Sequence, residues 1–144
     1  MTNIIDSGNR FGNMNGSCFS GDFTKEEKRK LFWEHRKLMG EAYGFDPHKM
    51  FMADQKDKTG SYFEITEDYV NENPNGWTDI SEDILIITDK VPGVVIGHPD
   101  ADCPVVMVED VKNGFVAVAH CSADLIDKHM PYMAYQALKE AYNS

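Results

Sequence analysis

A chain of 144 residues with 42% apolar and 11% aromatic side chains has the size and composition of one globular domain, able to build a core without disulfide help. Its net charge of −10 disfavours nucleic acid or an anionic membrane as partner, because both need a basic footprint. No apolar run approaches the ~20 residues of a membrane helix, the N-terminus MTNIIDSGNRFG lacks the pattern of a signal peptide, and three cysteines without a CxxC read as free thiols, so a cytoplasmic protein is expected.

Residues 1–23, rich in Gly, Asn and Ser, read as an irregular arm. Thr24 and Glu27 then match a capping box, in which hydroxyl and carboxylate each take a backbone N–H that the first helical turn leaves free. Leu31, Phe32, His35, Leu38, Met39 and Ala42 follow at helical spacing, and Gly44 is a suitable stop. This stripe reads as a helix packing on a sheet, with His35 at its edge.

KMFMA (49–53) and GSYFEIT (60–66) read as short strands around a polar turn, and NENPNG (71–76) as a loop. Four apolar, β-branched runs come next: DILIIT (83–88), GVVIG (93–97), PVVMVE (104–109) and FVAVAH (115–120). Their near-continuous hydrophobicity predicts strands covered on both faces. VKNG (111–114) carries Asn-Gly, so the last two runs should form a hairpin. A second amphipathic helix over the C-terminal segment places Met130, Met133, Ala134, Ala137 and Leu138 on one face, with Pro131 tolerated in its first turn. Without regular βαβ alternation, the order predicts an α+β domain: mixed β-sheets packed together, helices on the outside.

The hairpin carries the candidate chemistry. Cys103 precedes its first strand and His120 ends its second, so pairing brings a thiol and an imidazole to one sheet end. Such a pair serves either a nucleophilic cysteine activated by a base or two ligands of a zinc ion. Two buried strand residues remain the third reading, since free Cys is often core. HPDAD (98–102) crowds acids and His98 beside Cys103. Cys121, adjacent to His120, should face the other side of the sheet.

DILIITDKVPGVVIGHPDADCPVVMVED followed by GFVAVAH resembles the family called laccase-domain, multicopper polyphenol oxidase or YfiH-like proteins. There an ALIT…PGV.LGV.TADCLPVLL.D segment leads to a strand ending HAGWRG. Upstream, NMNGSCFSGDFTKEEKRKLFWEHRKLMGEAYGF resembles the family's arm and helix, and MADQKDKTGSYFEI its QVHG strand, with Gln55 at the Gln. The resemblance covers nearly the whole chain, through the order and spacing of moderately specific motifs.

The resemblance implies an α/β/β/α fold and a zinc-dependent enzyme acting on purine nucleosides with phosphate, by phosphorolysis of the glycosidic bond of adenosine or inosine or by the related deamination. The family's His–Cys–His set carries over to Asp57, Cys103 and His120; Cys103 and His120 are then catalytic or ligating, and Asp57 replaces an imidazole with a carboxylate. His98 is the alternative to Asp57. HCSADL stands where HAGWRG would, so Ala123 and Asp124 replace Trp and Arg, and an anion-holding cation is exchanged for an acid. Copper suits the sequence less than zinc, because five scattered histidines without an HxH pair cannot furnish several copper sites. Family domains are about twice as long, so a single domain over 1–144 lacking the C-terminal part is expected. Two alternatives follow: a non-catalytic metal- or nucleoside-binding homologue acting through a complementing chain or as a homo-oligomer, and a Cys–His hydrolase with Cys103 as nucleophile and His120 as base.

Overall fold

A computed structural model describes residues 24–53, 58–76, 80–88, 90–98, 103–126 and 128–143. The chain divides into two compact units, Met1–Pro47 and His48–Ser144. Asp57, Gln55, Ala101, Asp102 and the 1–23 arm lie outside the described residues.

In the first unit, α1 spans Lys25–Tyr43. The capping box forms as its sequence requires: Glu27 N–H donates to Thr24 Oγ1 at 3.2 Å, and Thr24 N–H to Glu27 Oε2 at 2.8 Å. These bonds hold the Glu27 carboxyl below its ordinary pKa. Gly44 closes the helix, its N–H donating to Gly40 O at 2.8 Å. The buried stripe is Phe32, Arg36, Met39 and Gly40, while Leu38 is 52% exposed. The apolar pattern was therefore off by part of a turn, because Arg36 takes a core position with its guanidinium 4.1 Å over the Phe32 ring. Burial lowers its pKa to about 10.

Among the described residues the second unit holds six strands: β1 (Met50–Met52), β2 (Tyr62–Ile65), β3 (Ile84–Thr88), β4 (Val95–Gly97), β5 (Val105–Asp110) and β6 (Phe115–His120). It also holds α2 (Glu67–Glu72), α3 (Ala123–Ile126) and α4 (Met130–Asn143). One sheet runs β2-β3-β6-β5 and a second pairs β1 with β4. β1 and β2 do not pair with each other across the polar turn, as a hairpin would. Each instead joins a later strand in parallel, β1 with β4 and β2 with β3.

Alternation sorts the core onto two faces. Ile84, Ile86, Phe115, Ala117 and Ala119 meet α4 through Met130, Ala134, Ala137, Leu138 and Ala141. These α4 positions recur at three and four residues, and their three alanines allow close helix–sheet approach. On the opposite face, Leu85 and Ile65 pack with Phe51, Ala53 and Ile80, flanked by Phe63, Tyr69, Val94 and Ile96. This unit thus layers helix, four-stranded sheet and two-stranded sheet. The expected α+β class with mixed sheets and helices holds.

Two strands depart from the pattern, since none of the three residues of β4 is buried. β5 is the edge of its sheet, and Val105 and Glu109 are exposed, so this apolar run is not covered on both faces. α2 and α3 were not legible from periodicity, since six and four residues are too short to show it.

Candidate functional site

The β5–β6 hairpin forms in the register that aligns its ends. Val105 pairs with His120 and Asp110 with Phe115. Asp110 builds the turn: its Oδ1 accepts Asn113 N–H at 3.0 Å and Lys112 N–H at 3.1 Å, and its Oδ2 accepts Asn113 Nδ2–H at 2.7 Å. Gly114 follows at φ 70°, the left-handed backbone that glycine takes without a Cβ clash. The ladder continues past Val105, with Cys121 N–H donating to Pro104 O at 2.8 Å. Cys103 therefore lies at the sheet end where His120 emerges. The hairpin expected from VKNG is the device that brings them there.

His120 is 8% exposed and Cys103 half-buried. His120 Nδ1 is sealed from solvent and has no hydrogen-bond partner. Cys121 belongs to the α4-facing core, opposite to His120 in the alternation of β6, as its position predicted. Burial, and secondarily the neighbouring Cys103, push the Cys121 thiol above its ordinary pKa.

His98 joins this end of the sheet from β4. Its ring stacks on that of His120 with centroids 6.2 Å apart and planes 30° from parallel. Its Nε2 lies 2.9 Å from Val118 O. A carbonyl oxygen only accepts, so Nε2 carries the hydrogen. Burial is the main cause that lowers the His98 pKa to about 4; the Val118 bond opposes it, and the charge of His120 adds to it. At neutral pH His98 is an uncharged imidazole.

Beneath His120 lies Asp83, a residue that sequence reasoning missed. It heads β3, is fully buried, and its backbone O accepts His120 N–H at 3.1 Å. Its Oδ2 accepts Gly60 N–H at 2.8 Å, while Oδ1 has no partner. The available signal was an acid directly before the run ILIIT, where burial demands a polar reason. Lys58 pairs with Asp124 at 3.1 Å, and Lys128 Nζ donates to Lys58 O at 3.3 Å. Residues 58–60 are thus fastened to the heads of β3 and of the segment after His120.

Among the described residues, no three His, Cys, Asp or Glu side chains group so as to hold a metal ion. Of the three expected ligands, the structure brings Cys103 and His120 to one sheet end and leaves Asp57 outside the described residues. No helix of the described residues is long and apolar enough to cross a membrane.

No family model matches the sequence. No curated protein sequence matches it either. Solved structures do match by shape. YlmD from Geobacillus stearothermophilus aligns with a TM-score of 0.61 at 19% identity, over 85% of this chain and 45% of that one. The Bacillus licheniformis hypothetical protein YfiH aligns with a TM-score of 0.52 at 20% identity, over 63% of this chain and 34% of that one. The chain thus spans less than half the length of either structure. At such identities the likeness concerns the fold, and the fold of this chain is distantly YfiH-like.

Proposed function

We propose that the chain binds zinc through Cys103 and His120, with Asp57 as third ligand, and acts on purine nucleosides with phosphate. The observation that supports this reading is the β5–β6 register, which pairs Val105 with His120 and so brings Cys103 to the sheet end where His120 lies. The donor chemistry fits the ion, since thiolate, imidazole and carboxylate are all zinc ligands. Two donors do not complete a set, and Asp57 is the third in this reading. A further observation supports the alignment that selects it. Counting on from Asp57, the glycine of QVHG falls on Lys58, whose φ of 49° is the left-handed backbone that glycine favours.

Bound zinc would supply a Lewis acid and an acidified water. The protein's own part is to fix His120 at the sheet end, to keep Cys103 accessible, and to hold neutral His98 against the His120 ring. Phosphorolysis of adenosine or inosine, or the related deamination, is the reaction this assignment supports.

One observation favours the second reading, a metal- or nucleoside-binding homologue without turnover. Asp124, at the position of the family's Arg, pairs with Lys58. An acid there repels phosphate where an arginine would hold it.

Metal analysis of the purified protein beside Cys103→Ser and His120→Ala variants tests the site. Near-stoichiometric zinc in the parent, lost in both variants, is expected. Incubation with adenosine or inosine and phosphate, following release of free base or of ammonia, separates the readings. Zinc with turnover supports the enzyme, and zinc without turnover supports the binding homologue. A metal-free parent whose Cys103 is rapidly alkylated at neutral pH would leave the Cys–His hydrolase as the surviving reading.

A further inference from the structure

Three buried polar atoms without partners fall at the paired ends of β3 and β6: Asp83 Oδ1, His120 Nδ1 and Ser122 Oγ. Their backbones are contiguous. Ile84 pairs with Ala119, and one step on, His120 N–H donates to Asp83 O at 3.1 Å. Alternation from the α4-facing Ala119 turns His120 to the opposite face, and Asp83, beside the α4-facing Ile84, shares that face; Ser122 lies two residues beyond His120, between the end of β6 and the start of α3. The Ser122 hydroxyl does not cap the short helix after it, although its backbone O accepts Leu125 and Ile126 N–H at 2.9 and 3.1 Å.

An uncompensated carboxylate oxygen inside a protein is costly, and Asp83 is 0% exposed. Three unmatched groups are the usual complement of one buried water, which makes about three hydrogen bonds. We infer that Asp83, His120 and Ser122 bind one water molecule, and that through it Asp83 acts as the positioning residue of His120. The water donates one hydrogen to Asp83 Oδ1 and one to Ser122 Oγ, and accepts the hydrogen of His120 Nδ1. His120 is thereby held as the Nδ1–H tautomer, and the lone pair lies on Nε2, the nitrogen available to a ligand or a substrate proton. Metal-bound histidines are oriented in this way, their second nitrogen held by a carboxylate, a carbonyl or water. The role assigned to Asp83 rests on the reading that His120 acts through Nε2.

Asp83→Asn is the discriminating variant, because its amide oxygen still accepts Gly60 N–H while its NH₂ cannot accept from the water. The tautomer of His120 is read from long-range ¹H–¹⁵N spectra of the chelated protein at pH 8. The parent is expected mainly as Nδ1–H, and Asp83→Asn to lose that preference while its thermal midpoint without metal is kept or raised. Zinc affinity, measured by competition with a chelating dye, is expected to fall about 10–100-fold in the variant. A parent that is mainly Nε2–H overturns the inference, as does an Asp83→Asn protein with parental tautomer and affinity. A parent that binds no zinc yet shows the Asp83-dependent Nδ1–H tautomer supports the role of Asp83 and overturns the zinc reading alone.

Discussion

Lys58 and Asp124 meet at 3.1 Å across 66 positions of sequence, joining the residue after Asp57 to the segment after His120. Both side chains are more than half exposed, at 58% and 64%. Water and salt screen such a pair, so it guides the loop without contributing much free energy. Asp124→Ala and Lys58→Ala should each change unfolding free energy by less than about 1 kcal/mol in urea titrations. A larger loss would mean that the pair anchors the fold itself.

Gly60 is the tighter fastening in the same loop. It has φ 80°, donates its N–H to Asp83, and a Cβ there would run into the Met133 side chain of α4. Gly60→Ala therefore introduces backbone strain and displaces the flexible end of the Met133 side chain. The expected loss is about 1–3 kcal/mol, read as a lower urea midpoint at unchanged slope. A variant as stable as the parent would show that the loop relaxes freely, and with it the anchoring by Asp83.

α3 is only four residues long, yet its Leu125 is fully buried in the α4-facing core. Truncation there removes packed methyl groups and leaves a cavity. Leu125→Ala should cost about 2–5 kcal/mol, whereas Ile126→Ala, at a side chain 57% exposed, should be nearly neutral. Equal effects in thermal unfolding would contradict this placement.

Much of this arrangement was legible in the residues, for identifiable reasons. Mostly apolar strand runs and helices of 14 or 19 residues carry enough pattern to be read, so the six strands of the described residues, α1 and α4 were expected. The hairpin was visible because its turn chemistry is local, and it alone implied that Cys103 and His120 share a sheet end. Sheet membership was not visible. β4 leaves the run of four strands to pair with β1, and β2 pairs with β3, because parallel pairing joins residues distant in sequence. Arg36 was missed because a charged residue in a core stripe looks like the polar face. Asp83 was missed because its partners, Gly60 and His120, come from two other segments. His98 was weighed only by its nearness to Cys103, and its stacking on His120 is a tertiary fact.

The two thiols of the site region should differ in reactivity. Cys103 is half-buried at the sheet end, whereas Cys121 is 5% exposed in the core and its thiol is raised in pKa by burial and by Cys103. Thiolate is the reacting species, so both access and ionisation disfavour Cys121. In a Cys18→Ser background treated with chelator, iodoacetamide should modify Cys103 first, and Cys121 only on unfolding. Mass spectrometry of tryptic peptides reads the order, and equal labelling would contradict the burial of Cys121.

His98 should make stability pH-dependent. Its pKa is lowered from 6.5 to about 4 in the folded chain, chiefly by burial. Between those values the unfolded chain takes up a proton that the folded chain does not. Acidification therefore favours unfolding, and the contribution is fully present above the unfolded pKa and lost as pH falls toward 4. Because the side chain retains some exposure, the effect is on the order of 2 kcal/mol rather than the full value of the shift. His98→Gln, which keeps a donor for Val118 O, removes the titrating group. In urea titrations with chelator across pH 4.5–7.5, the parent should lose stability on acidification more steeply than the variant. Parallel slopes would show that His98 protonates in the folded chain as it does in water, and that it is not the neutral imidazole stacked on His120.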